Sequence, residues 1–208
     1  MKKLTLLIFL GLGFLLASAQ DNDNDKIQTL FPKSRSNGGY GAVSFSYTQI
    51  DGKDAFMMGG RGAWVIGHSF ALGFGGNGFI NDVNIQNPHD MNMNNGLAGG
   101  YGGIYLEPII APRFPVHLSF PILIGGGGIT NVTYIENWED YIYDNSSTDV
   151  DVYFVFEPSA ELEFNMTRNM RLALTCGYRF TTDIIIENVS PDILRGFNYG
   201  LIMKFGKF

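Results

Sequence analysis

Arg195-Gly-Phe-Asn-Tyr-Gly-Leu-Ile-Met-Lys-Phe-Gly-Lys-Phe208 is the stretch on which the fold turns. Phe197, Tyr199, Leu201, Met203 and Phe205 take every second position, so an extended strand puts all five on one face, opposite Asn198, Gly200 and Lys204. One face is apolar and the other wetter. A soluble sandwich strand can carry the same alternation. This one ends on an aromatic, however, and the chain opens with an export signal, which together point to a strand facing lipid.

That signal occupies residues 1–19: Lys2 and Lys3, an apolar run over 4–16, and Ala17-Ser18-Ala19, with cleavage after Ala19. The run is shorter than the roughly 20 apolar residues a spanning helix needs. No cysteine follows the cleavage site to carry a lipid anchor, and Cys176 has no second cysteine for a disulfide. Residues 20–38 read as a flexible leader. Its run Asp21-Asn-Asp-Asn-Asp25 is a solvated acidic tail, since nothing in it fixes calcium ligands. Without Lys2 and Lys3 the chain keeps 12 basic against 20 acidic residues, a net charge of about −8, which makes nucleic acid an improbable partner. The remaining residues, 39–208, suffice for one closed barrel domain. The chain's 27 glycines, 17 Phe, 10 Tyr and 2 Trp, with no long apolar run after the signal, suit a barrel, whose lipid-facing and inner residues alternate.

Residues 40–50 set Val43, Phe45 and Tyr47 against Ala42, Ser44, Ser46 and Thr48, and Asp51-Gly52 is a hairpin signal. The return strand, 55–66, puts Phe56, Met58, Trp64 and Ile66 opposite Arg61. Past Gly67-His68-Ser69, Phe70, Leu72 and Phe74 alternate with small residues until about Asn81. The Asn-rich stretch 82–95 has no period and reads as a long exposed loop. A fourth strand covers 97–108, its facing blurred by glycine. In the fifth, Val116, Leu118, Phe120, Ile122 and Ile124 oppose His117, Ser119 and Pro121, and Gly125 to Gly128 are read as its end. After a long loop over 134–149, strand six (150–164) turns Phe154, Phe156, Pro158, Ala160, Leu162 and Phe164 outward, opposite Glu157, Ser159, Glu161 and Glu163. Strand seven (170–181) sets Leu172, Leu174, Cys176, Tyr178 and Phe180 against Arg171 and Arg179. In the connection 182–194, Ser190 is placed to cap a helical turn starting at Pro191. The opening stretch completes about eight strands. Connections after strands two, four and six are short and those after three, five and seven long; only the first hairpin breaks this asymmetry of outer-membrane barrels.

Phe156-Glu157-Pro158-Ser159-Ala160-Glu161-Leu162-Glu163, Gly177-Tyr178-Arg179-Phe180 and Phe205-Gly206-Lys207-Phe208 resemble the small outer-membrane β-barrel proteins of Gram-negative bacteria, of the OmpA and OmpX type. The resemblance covers everything after the leader. It implies an all-β fold, a closed antiparallel up-and-down transmembrane barrel of about eight strands in the outer membrane. It also implies that the last strand is the signal read by the barrel assembly machinery, here Phe197, Tyr199, Leu201, Met203 and Phe205 with the terminal Phe208. The apolar register stops at Phe205, which leaves 206–208 as a short extension.

The inner face then collects Arg61, Glu107, His117, Glu157, Glu161, Glu163, Arg171 and Arg179. An eight-stranded interior is only wide enough for side chains, so these charges are expected to pair and plug it. This makes a non-enzymatic barrel, structural or interacting through its external loops. Outer-membrane lipid and lipopolysaccharide surround it, and its external ligand is unknown. Two alternatives are a small pore and a lipid-modifying enzyme. His117 and Ser119 are the residue types of an acyl-ester hydrolase and resemble the set of lipid A deacylase barrels, but the alternation turns both inward near the periplasmic end. No catalytic, metal or cofactor site is expected. His89, Met91 and Met93 fix no coordination geometry, loop aromatics Trp138, Tyr141 and Tyr143 suit a membrane interface, and sequons at Asn131 and Asn145 are uninformative. A soluble lipocalin-like barrel is the fold alternative; it would bury the apolar positions and wet Glu157, Glu161 and Glu163.

Overall fold

The computed structural model describes residues 37–50, 52–81, 93–135, 150–186 and 190–208, without the side chains of 93–96 and 131–135. The expected signal peptide and most of the leader lie outside the described residues. So do His89, Met91, Asn145, Trp138, Tyr141 and Tyr143, and the side chains of Met93 and Asn131.

Nine strands form among the described residues: β1 (Asn37–Ile50), β2 (Lys53–Ile66), β3 (Phe70–Asn81), β4 (Met93–Ile110), β5 (Val116–Ser119), β6 (Ile122–Ile135), β7 (Val150–Asn165), β8 (Met170–Thr181) and β9 (Gly196–Lys207). Apart from β5 and β6, chain neighbours pair antiparallel, and β9 pairs with β1 from Gly39 opposite Lys207 to Thr48 opposite Asn198. β5 and β6 share one place in the ring. Both pair with β4 and β7 in a single register, and Phe120-Pro121 interrupts them because Pro121 has no N–H to donate. The result is the expected closed antiparallel up-and-down β-barrel of eight strand positions. Closure leaves no unpaired edge.

The alternation sorts the side chains. Phe56, Trp64, Phe74, Phe154, Leu174 and Phe197 are exposed on the outer face. Glu157, Glu161 and Glu163 are buried inside, the reverse of what a soluble barrel requires.

Two strands depart from the sequence reading. Gly125 to Gly128 do not end the fifth strand; β6 runs through them to Ile135 and β4 reaches from Met93 to Ile110. The reason is a glycine seam, in which Gly100, Gly102 and Gly103 face Gly128, Gly126 and Gly125. A Cβ on Gly125 would sit 2.0 Å from the Gly102 carbonyl oxygen, and one on Gly127 would meet the Tyr101 and Tyr153 side chains at 2.6 Å. Low strand propensity is thus overruled by packing: small inner positions offset large neighbouring rings. The seam also resolves the facing of β4, with Leu97, Tyr101, Tyr105, Glu107 and Ile109 inward and Ile104 and Ile110 outward. Residues 191–194 form a turn, not a helix. Ile193 N bonds Ser190 O at 3.1 Å, and the Ser190 hydroxyl donates to Asp192 at 2.6 Å instead of capping.

Apolar clusters lie toward both ends of the interior. Tyr40, Ala42, Val65, Ala71, Ile109, Ala173 and Ile202 pack with Phe208 toward the end where β1 begins and β9 ends. At the other end Ile184, Ile186, Ile193 and Leu194, all from the connection between β8 and β9, fold into the mouth against Met57, Phe79, Leu97, Leu123 and Val155.

Candidate functional site

Between those clusters lie the buried charges. Six of the eight expected inner residues meet in one cluster: Arg61, Glu107, His117, Glu161, Glu163 and Arg171. Strand alternation aims each inward, and the register brings β5, β7 and β8 side by side, with His117 opposite Glu163 and Ser119 opposite Glu161. Arg61 reaches across from β2 and clamps Glu161 through both guanidinium nitrogens, at 2.9 and 2.8 Å. Tyr40 donates its hydroxyl to Glu107. Glu163 accepts from His117 at 3.0 Å, Ser119 at 2.5 Å and Arg171 at 3.2 Å.

The centre of this cluster is Lys204, which the sequence reading put on the wetter face of the last strand but left out of the network. Its Nζ lies 2.6 Å from Glu107, 2.8 Å from Glu161 and 2.5 Å from Glu163, and the side chain is fully buried. Those three carboxylates converge as they would around a metal ion, and the ammonium of Lys204 supplies the cation. Among the described residues the buried interior holds four cations (Arg61, Arg171, Arg179, Lys204) and four carboxylates (Glu107, Glu157, Glu161, Glu163), so charge balances without a solute. The signal that would have found Lys204 was parity: Asn198, Gly200, Ile202 and Lys204 share one face of β9.

Glu157 and Arg179 stand apart. Glu157 accepts the Tyr101 hydroxyl at 2.5 Å, while Arg179 donates to the Leu194 carbonyl at 2.6 Å and contacts Met57 Sδ at 3.1 Å, its guanidinium over the rings of Phe79 and Tyr101. Arg179 therefore ties the mouth-filling connection to the wall. Between these groups and the main cluster is a cavity of about 30 Å³, lined by Ser44, Ser46, Arg61, Glu161, Thr175 and Asn198. That is room for about one or two waters.

His117 and Ser119 do not form a nucleophile and base. Both bind Glu163, on different oxygens, and both are buried. A hydrolase needs the hydroxyl bonded to the imidazole and open to substrate.

No family model matches the chain, and no curated protein does. Among solved structures it is similar to Neisserial surface protein A, with a TM-score of 0.56 and 9% identity over 83% of this chain and 97% of that one. It is also similar to Ail, the attachment invasion locus protein of Yersinia pestis, with a TM-score of 0.51 and 10% identity over 83% and 99% of the two chains. Ail was also solved in complex with the heparin analogue sucrose octasulfate. The fold is that of a small outer-membrane β-barrel.

On this barrel the outward residues of the last strand, Phe197, Tyr199, Leu201 and Phe205, are exposed, and Met203 is half-buried on the same side. Phe208 does not join them. The strand continues to Lys207, and parity puts Phe208 on the inner side, where its ring stacks on Tyr40 at 5.7 Å and lies 3.9 Å beneath the Arg171 guanidinium. The outward apolar row thus ends at Phe205, and Phe208 follows the inner alternation of a strand that runs on to Lys207.

Proposed function

We propose that this protein is a non-enzymatic integral outer-membrane barrel whose interior is closed to solutes and which interacts through its external face. The observation that carries the reading is the inversion of its two faces. Apolar side chains cover the outside while, among the described residues, four cations and four carboxylates are buried together inside. In water the outer face would be an aggregation hazard, but in hydrocarbon it is solvated. Apolar clusters above and below the charges support closure at both ends.

The chain is exported with removal of residues 1–19, and the apolar row Phe197, Tyr199, Leu201, Met203 and Phe205 serves as the signal for the barrel assembly machinery. Outer-membrane lipid, including lipopolysaccharide, is its surrounding partner. Planar-bilayer recording of the purified full-length barrel tests the closed interior: the expected result is no steady conductance above the bare bilayer, and a large steady current overturns it. Extraction from membranes by buffer without detergent would overturn insertion itself.

A further inference from the structure

At the mouth opposite the β1 start, on the outer side of the wall, lies a groove of about 620 Å³. Its size falls within the range of about 300–1,000 Å³ typical of small-molecule sites. The floor is aromatic and spans three strands: Tyr47 of β1 lies opposite Tyr199 of β9, and Phe197 of β9 opposite Tyr178 of β8. The rings brace each other. Phe197 and Tyr199 are nearly parallel with centroids 6.1 Å apart, and Tyr178 meets Phe197 edge-on at 4.9 Å. A floor fixed on strands by ring contacts offers wide amphipathic area at small entropic cost.

The wall above this floor is polar. Gln49 comes from the end of β1, and Asp192 and Arg195 from the turn before β9. Arg195 is already neutralised by Asp183 at 2.5 Å and bonds the Thr181 carbonyl at 3.0 Å. The Ser190 hydroxyl holds the exposed Asp192 carboxyl below the usual carboxylate range, so it stays an acceptor. Asp54, which accepts from Tyr47 and Gln49, adds further negative charge to the rim. A rim of this sign disfavours a phosphate or sulfate and suits hydroxyl donors. Flat rings below and planar hydrogen-bonding groups above match a sugar, whose C–H face lies on aromatic rings while its hydroxyls bond the wall.

The floor continues down the outer face through the exposed Leu201 and Phe205, so an occupant with an acyl tail keeps its tail in lipid. We infer that this groove binds the uncharged sugar headgroup of an outer-leaflet glycolipid. The inference rests on the outer-membrane reading above. It assigns a site on the wall, separate from the charged interior.

The test uses the full-length barrel in nanodiscs of phosphatidylcholine containing a minor fraction of monoglucosyl diacylglycerol, with bound lipid counted by native mass spectrometry. Retention of one glycolipid per barrel is expected. Tyr199→Ala and Gln49→Ala should each weaken it about tenfold, the loss of one stacking or hydrogen-bonding contact. Phe74→Ala, an exposed outer aromatic on β3, should leave it unchanged, and heat-modifiable migration verifies that each variant is folded. Retention no greater than that of phosphatidylcholine overturns the site, as does equal retention by the groove variants. Preference for phosphatidylglycerol overturns the charge argument, and equal binding of free methyl glucoside overturns the lipid source. Failure of the barrel to enter nanodiscs would instead remove the outer-membrane reading.

Discussion

The two halves of the barrel interior are packed by different physics. Toward the start of β1 the contacts are chiefly electrostatic: Lys204, Arg61 and Arg171 sit among Glu107, Glu161 and Glu163, every one carried by a strand and aimed by its parity. Toward the opposite mouth the packing is apolar and comes from a connection: Ile184, Ile186, Ile193 and Leu194 lie against Met57, Phe79 and Leu123. The first group is built into the strands themselves. The second is held by its packing and by a few polar ties, chiefly Arg179 to the Leu194 carbonyl and Ile185 N to Asp151 at 2.6 Å. A strand-borne charge network and a folded-in connection therefore differ in what each costs to disturb.

The sharpest way to break this comparison is Lys204→Met. It leaves three buried carboxylates without their shared cation, and a loss of about 3–5 kcal/mol is expected, read by urea unfolding of the folded barrel in lipid. Adding Glu107→Gln should recover part of that loss. A Lys204→Met barrel as stable as the parent would show that the charges are wet and that this half is not held electrostatically.

Leu194→Ala probes the other half, with an expected loss of about 2–4 kcal/mol from the missing packing and the space it leaves. Its effect should concentrate in the connection, so amide exchange over 190–195 should quicken while β7 and β8 keep their protection. Uniform loss of protection across the barrel would mean that the two halves unfold as one unit.

Gly125→Ala sharpens the boundary between the halves. Its Cβ would press on the backbone of β4, whereas a Cβ on Gly62 meets nothing within 4 Å. Gly125→Ala should cost about 1–3 kcal/mol by overpacking, while Gly62→Ala should be neutral or stabilising by less than about 1 kcal/mol. Equal effects at the two positions would contradict the close approach of β4 and β6.

The smallest effect lies on the rim of the mouth. The carboxyl of Asp192 is depressed by the Ser190 hydroxyl, so whatever its ionised form stabilises is present at neutral pH and lost as pH falls through its folded value. Ser190→Ala should raise that value toward the ordinary aspartate range, as measured by carboxyl-carbon NMR titration. An unmoved titration would show that the hydroxyl does not hold the group.

The inner charges on β2, β5, β7 and β8 were legible because a period of two leaves only two faces, and Phe154, Phe156 and Leu162 had already claimed one for lipid. Lys204 was readable by the same rule, but the rule does not tell which wet-face residue stands at the centre of a cluster. That depends on β4, β7 and β9 meeting across the lumen. The glycine run 125–128 misled because its residues lack strand propensity in isolation, and only the neighbouring strands explain the small residues: a Cβ on Gly125 would press on the β4 backbone and one on Gly127 on the side chains of Tyr101 and Tyr153. The mouth-filling connection left no periodic trace at all, since Ile184, Ile186, Ile193 and Leu194 are spaced by a turn.

Alternation along single strands determined that this chain makes an all-β barrel with an apolar outside and charged inside, because each strand carries its own facing in its sequence. Tertiary structure decided which charges pair, that Lys204 unites three carboxylates, that Phe208 turns in beneath Arg171, and that a connection packs into the mouth. Those are distances between residues far apart in the chain, set by register and closure, and a local pattern holds no information about them.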